Sequence, residues 1–94
     1  MAVVDADSGK VVATVPICKG VDGTEYDAAT GNIFNSCADG HLTIAHQDGP
    51  DKYSVLQTVE TMKGARTLAV DHAKNRVFTP ARTPEGVVVL VVQP

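Results

Sequence analysis

The chain has 94 residues, a formal net charge of −3 and a sequence pI near 5.4. Its lysines and arginines form no cluster, which excludes the basic surface that a nucleic-acid backbone or an anionic membrane would need. The longest apolar run, Val87–Val92, is far too short to span a bilayer. Aromatic residues are few, so a core would have to be aliphatic and rich in valine.

Short apolar and β-branched segments separated by turn residues predict β-strands along the whole chain. Three of the turns carry Gly9, Gly31 or Asn75, which tolerate a left-handed backbone. A longer polar loop, Gln47–Lys52, separates two further segments. The predicted strands are Ala2–Asp5, Lys10–Ile17, Asp22–Asp27, Asn32–Ser36, His41–His46, Tyr53–Glu60, Arg66–Asp71, Arg76–Thr79 and Gly86–Val92.

The sequence also repeats itself at a spacing of 44 residues. When Val11–Cys37 is aligned with Val55–Ala81, eight of 27 positions are identical. Average composition would give about two identities in such a window. Asn75 then occupies the position of Gly31, which indicates one shared turn geometry. A period of about 40–45 residues, made of short β-rich segments, is typical of β-propeller blades.

A helix over Val55–Val70 is the alternative for that segment, because its apolar residues have helical spacing. Gly64 would lie inside the helix, and the related stretch Val11–Lys19 contains Pro16. A helix interior disfavours glycine and does not accept proline. Only a strand suits both stretches, so the sequence favours an all-β fold.

These patterns predict about two propeller blades, each a four-stranded antiparallel meander. With strands lettered A to D from the channel outward, residues 1–17 supply strands C and D, residues 18–61 a complete blade, and residues 62–94 strands A, B and C. A blade buries its faces against neighbouring blades, so one or two cannot stand alone. Either the chain is a piece of a longer propeller, or copies assemble head to tail into a ring or filament, each completing a blade of the next. We favour assembly with copies of itself.

Two stretches, Val3–Pro16 and Gly20–Thr24, resemble the strand hairpin and the Gly-rich approach to the inner strand of YVTN-type bacterial propellers. The later stretch Ser54–Phe78 is similar to the same family. The resemblance implies a propeller, usually a seven-bladed ring and often exported, in a family whose larger relatives include lactonases, quinoprotein-like enzymes and binding scaffolds. The sequence departs from the family in its length and after Phe78, where Thr79–Glu85 replaces the usual short turn.

The two cysteines flank one predicted hairpin. Cys18 precedes its first strand and Cys37 follows its second, so antiparallel pairing brings both to the same end of the blade. This layout predicts a disulfide, with two buried free thiols as the alternative. A disulfide indicates an oxidising compartment, and we therefore predict a periplasmic or extracellular location. No signal peptide begins at Met1, so a leader would have been removed or would lie upstream.

Two clusters have some likeness to metal sites. Cys37, His41 and His46 have poor spacing, because the two histidines fall on opposite faces of one strand. The segment that holds Asp5 and Asp7 is too short for a calcium loop, and a turn with local hydrogen bonds explains it. We therefore predict no metal and, in the absence of a phosphate-binding motif, no cofactor.

Residues for catalysis are few. Asp27 and Asp71 close equivalent strands and are interpreted as turn caps. Asp22 and Arg66 occupy equivalent positions at the mouth of the predicted channel, where they could orient a polar ligand or form inter-blade ion pairs. The sequence thus favours a non-catalytic scaffold or binding module. The alternative is a fragment of a lactonase-like or quinoprotein-like propeller enzyme with its site in the channel.

Overall fold

The structure, a computed structural model, describes residues 1–93. These residues form nine β-strands and no helix, so the predicted all-β class is confirmed and the helix over Val55–Val70 is excluded. Among residues 1–93 no helical segment has the length and hydropathy of a membrane span. The strands are β1 Ala2–Val4, β2 Val11–Thr14, β3 Val21–Asp27, β4 Asn32–Cys37, β5 His41–Gly49, β6 Lys52–Glu60, β7 Ala69–Asp71, β8 Arg76–Thr83 and β9 Gly86–Val92.

The strands pair with their neighbours in sequence to form three antiparallel sheets. Sheet I contains β1 and β2, sheet II contains β3 to β6, and sheet III contains β7 to β9. Every connection within a sheet is a hairpin, so each sheet is a meander.

Sheet II lies in the middle because strand β4 is buried on both of its faces. All six residues from Asn32 to Cys37 are buried, although Asn32, Asn35 and Ser36 are polar. Successive side chains of a strand point to opposite faces, so such a strand needs a cover on each side. Sheet III covers the face that carries Phe34, and sheet I lies on the side of Ile33.

The main core lies between sheets II and III. Phe34, Leu42 and Ile44 of sheet II are buried together with Val77 of sheet III. Partly buried aliphatic side chains from both sheets surround this cluster; they are Val59, Leu68, Val70 and Val92. The core is therefore aliphatic around one phenyl ring, as the composition predicts.

The hairpins β3–β4 and β7–β8 have the same register. Tyr26 pairs with Ile33 and Val70 pairs with Val77, and each pair is separated from the other by 44 positions. The predicted left-handed backbone is confirmed at the equivalent turn positions, with φ of 79° at Gly31 and 53° at Asn75. Asparagine is among the few residues other than glycine that adopt this conformation readily.

Several predicted boundaries were wrong. Strands β5 and β6 extend into the expected loop 47–52, and only Pro50 and Asp51 form the turn. Strand β7 begins at Ala69 rather than at Arg66, because the segment before it is held by other contacts, such as the hydrogen bond from Thr79 Oγ1 to the carbonyl of Thr67 (2.9 Å).

The segment after Phe78 was also misjudged, because Thr79–Thr83 continues strand β8 instead of forming a loop. Pro80 is tolerated in this strand because β7 pairs with β8 only as far as Phe78, whereas β9 continues alongside on the other edge. Proline lacks an N–H and therefore suits a place where one neighbouring strand is missing. The turn that follows contains only Pro84 and Glu85.

We expect Phe34→Ala to lower the free energy of unfolding by about 3–5 kcal/mol, since the ring is fully buried between two sheets. Phe78→Ala is the matched control, because Phe78 occupies the equivalent repeat position but faces away from sheet II and is only half-buried. The decrease in the free energy of unfolding caused by Phe78→Ala should be clearly smaller. Urea unfolding of both variants tests this, and equal losses would contradict the assigned core.

Candidate functional site

The disulfide between Cys18 and Cys37 is formed, as predicted, and its two Cα atoms are 5.9 Å apart. Cys37 is buried at the end of β4, and Cys18 is half-buried in the segment that leaves sheet I. The backbone N–H of Cys18 donates to Thr43 Oγ1 (3.1 Å), and that of Lys19 donates to Asp39 Oδ2 (3.0 Å). The disulfide and these two hydrogen bonds therefore hold the segment that leaves sheet I against sheet II.

Replacing both cysteines by alanine should lower the free energy of unfolding by about 3 kcal/mol, because the bond closes a loop with a sequence separation of 19 residues. The measurement is denaturant unfolding of Cys18→Ala/Cys37→Ala beside the oxidised wild type. Reduced wild type should behave like the double variant. Unchanged stability in both would show that the disulfide constrains nothing.

The residues of the first metal-like cluster have other roles in the structure. Cys37 is committed to the disulfide and so offers no thiolate. His41 contacts Asp39 (3.2 Å), whereas His46 contacts Asp48 (2.9 Å). Within residues 1–93, the only close group of potential metal ligands consists of Cys18, Cys37 and Asp39. The disulfide leaves the two cysteines of this group without a thiolate to bind a metal.

Asp5 acts as a turn residue, as predicted. Its Oδ1 accepts hydrogen bonds from the backbone N–H groups of Asp7 (2.8 Å) and Ser8 (3.1 Å). The bond from Ser8 is the main reason that the pKa of Asp5 lies below its usual value. These bonds close the hairpin between β1 and β2.

His46 fastens the β3–β4 turn to strand β5. Its Nδ1 lies 2.9 Å from Asp48 Oδ1, and its Nε2 lies 3.0 Å from the carbonyl oxygen of Thr30. Both partners are acceptors, and only a protonated imidazole donates from both nitrogens. The bond to Asp48 accordingly raises the pKa of His46 above its usual value, and the same bond lowers the pKa of Asp48.

Asp27 and His72 connect sheet II to sheet III. Asp27 is only 2% exposed, and its Oδ1 lies 3.1 Å from Nδ1 of His72, which stands in the β7–β8 turn. Asp27 also accepts hydrogen bonds from Thr30 Oγ1 (2.8 Å) and the N–H of Ala29 (3.3 Å), which is the turn-capping role that the sequence predicts. The bond from Thr30, followed by that from His72, lowers the pKa of Asp27.

The inter-sheet role of His72 was not predicted. The repeat alignment contains a signal for it, since His72 stands at the position of Ala28 and so adds an ionisable group in only one of the two turns. What the sequence could not give was the distance between that turn and Asp27, because this depends on how two sheets stack.

Stability should fall as the pH is lowered through the acidic range, because the pKa of Asp27 in the folded chain lies below its ordinary value of 3.8. The unfolded state then binds the proton first, so the contribution of Asp27 is present above about pH 4 and is lost as the pH falls through the folded pKa. Asp27→Asn should therefore lose less stability between pH 5 and pH 3 than the wild type does. Urea midpoints at both pH values measure this.

Asp51→Asn, in an exposed turn, is the control for that comparison and should follow the wild type. If Asp27→Asn and the wild type lose equal stability between the two pH values, the link between Asp27 and its partners does not contribute to folding.

Asp22 and Arg66, the predicted ligand residues, lie together in one shallow depression of about 290 Å³. Thr67 and Arg82 also line it, and Arg82 was not foreseen because Thr79–Glu85 was expected to form a loop. Within residues 1–93 Asp22 and Arg66 form no ion pair with each other. The rest of the lining, which includes Pro80, Ala81 and Val87, makes the surface of the depression mostly apolar.

A larger groove, of about 510 Å³, lies between strand β1 and sheet II and was not predicted. Tyr26, Ile33 and Tyr53 line it on the side of sheet II. The hydroxyl of Tyr26 donates to Gln47 Oε1 (2.9 Å), and Gln47 Nε2 donates to Tyr53 Oη (3.2 Å). The groove therefore has an apolar floor and a polar rim.

Compared with protein-family models and with curated proteins, the chain matches none of them.

Proposed function

We propose that the chain is a non-catalytic β-propeller scaffold or binding module that assembles with copies of itself. The observation that carries this proposal is the outward face of sheet III, which we call the valine face. It consists of Val87, Val89 and Val91 on β9, with Phe78 and Pro80 beside them on β8. The three valines are 67%, 59% and 57% exposed.

The valine face is contiguous. Phe78 pairs with Val91, and Pro80 pairs with Val89, so these side chains share one side of the sheet. The opposite side of the same strands packs against sheet II through Val77 and Val92. A large exposed apolar patch on a soluble protein marks an interaction surface.

The equivalence of the two hairpins supports a copy of this chain as the partner. Phe34 and Phe78 are equivalent residues, and Phe34 is buried because sheet III packs on it. A further β-sheet unit of the same kind would cover Phe78 in the same way. Stacking of identical units explains both the covered and the uncovered face, and the resemblance to YVTN-type propellers points to a radial arrangement.

The free edge of β9 supports the same proposal. Within the described residues 1–93, strand β9 pairs only with β8, so the seven residues from Gly86 to Val92 leave one edge of the sheet without a neighbour. Such an edge, without charged residues, favours pairing with another chain. The disulfide is consistent with function in an oxidising compartment, and we propose the periplasm or the extracellular space.

Wild-type protein should have a solution mass of at least twice 9.8 kDa in light scattering, and Val89→Lys should shift it toward the monomer. The reason is that a charge in the middle of the valine face must be desolvated in any contact made there. Asp51→Asn is the matched control, because it changes the net charge by the same amount at an exposed position of the β5–β6 turn. A folded wild-type monomer at all accessible concentrations would contradict the proposal.

One observation favours the alternative, a propeller enzyme with its site at the channel mouth. Two arginines and one aspartate, Arg66, Arg82 and Asp22, line the same depression beside apolar residues. Such a set can orient an anionic or hydroxylated ligand through charge-assisted hydrogen bonds. A binding function of the assembled scaffold would use the same residues.

A further inference from the structure

We propose that strand β9 of one copy replaces strand β1 of the next copy and pairs with its β2, so that β7, β8, β9 and the next copy's β2 form one four-stranded sheet. This inference rests on the proposed self-assembly and specifies how the contact is made. Strand β1 is then exchangeable: in a single chain it occupies the place beside β2 that β9 of the preceding copy takes in the assembly.

The first step is that β2 has the sequence of an outer strand. At the spacing of 44 residues, Val11, Thr14 and Val15 coincide with Val55, Thr58 and Val59. The latter three belong to β6, which is the last strand of sheet II and pairs with the third strand, β5. Strand β2 is therefore an outer strand whose own sheet contains one further strand instead of three.

The second step is that β1 is a poor partner for β2. It has three residues, and its register with β2 shifts between Val3 and Val4. Strand β9 has seven residues and is the third strand of sheet III, the position that β5 holds beside β6. A longer strand makes more ladder hydrogen bonds and buries more apolar area on β2.

The third step is the groove beside β1. In sheet III, Val77 is the residue that packs on sheet II, and its equivalent at the 44-residue spacing is Ile33. The Ile33 side of sheet II is thus the side on which sheet II would contact the sheet that precedes it in the assembly. The groove of about 510 Å³ lies on this side, and it is lined by β1 and the Ile33 face. We expect the valine face of a second copy to pack in this groove, against the apolar residues that line it.

The fourth step fixes the direction of assembly. Within the chain, Asp27 of sheet II contacts His72 of the following sheet. Asp71 is the equivalent of Asp27, and Ala28 is the equivalent of His72. In the proposed assembly Asp71 of one copy therefore lies beside Ala28 of the next copy. Because Ala28 has no imidazole, this junction lacks the hydrogen bond that joins sheets II and III.

A disulfide tether between β1 and β2 tests the strand exchange. Val3 and Ala13 pair directly, so oxidised Val3→Cys/Ala13→Cys should hold β1 in place and abolish assembly, leaving a 9.8 kDa monomer in light scattering. The single variants Val3→Cys and Ala13→Cys, with their free thiols alkylated, are the controls and should assemble like the wild type. Circular dichroism verifies that the tethered variant keeps its β-structure.

The outcomes separate the two proposals. A monomeric wild type would overturn the self-assembly itself. Assembly of the wild type together with equal assembly of the folded, tethered variant would overturn only the exchange of β1 for β9. Loss of assembly in the tethered variant alone supports the exchange.

Cross-linking tests the direction. Mixed Ala28→Cys and Asp71→Cys proteins should yield a covalent dimer with a short bismaleimide. Ala28→Cys mixed with Asp51→Cys is the matched control and should yield none, since Asp51 lies in the β5–β6 turn, away from the proposed junction. Equal yields from both mixtures would contradict the head-to-tail order.

Discussion

Strand β4 is buried on both faces, and this constraint decides the arrangement of the other strands. Its even-numbered side chains, led by Phe34, require sheet III, and its odd-numbered ones, led by Ile33, require a cover on the opposite side. Asn35 is also buried, and both ends of its amide group are hydrogen-bonded. Its Oδ1 accepts from Thr24 Oγ1 (3.0 Å), and its Nδ2 donates to the carbonyl of Thr43 (3.3 Å). A strand with this pattern cannot be stable in a single sheet, because its apolar side chains need cover on both faces. Asn35 has its partners within sheet II, whereas Ser36 bonds to Ala65 outside it.

The contact between sheets II and III combines an apolar centre with polar links at its two ends. Phe34 and Val77 form the centre. At one end Asp27 bonds to His72. At the other, Ser36 Oγ donates to the carbonyl of Ala65 in the segment before β7 (2.7 Å) and lies 3.4 Å from Thr79 Oγ1 of β8. Hydrogen bonds at both ends fix the position of one sheet on the other, which apolar packing alone would leave less well defined. Sheet III repeats this pattern only in part, because Pro80 stands at the position of Ser36 and has no hydroxyl group.

Local features of the sequence predicted local features of the structure. The strands, the left-handed turn at Asn75 and the Cys18–Cys37 bond all depend on residues that are close in the chain or face each other across one hairpin. The extension of β8 was missed because two prolines, Pro80 and Pro84, make the segment resemble a loop. Its strand conformation is possible only because β7 begins as late as Ala69, and the sequence of β8 carries no signal for that.

The groove beside β1 has a spectroscopic consequence. The chain contains no tryptophan, and its two tyrosines, Tyr26 and Tyr53, both line this groove. Their hydroxyl groups are joined through the side chain of Gln47. The ultraviolet fluorescence of the protein, which arises from these two rings, is therefore a local and label-free signal of whatever enters the groove.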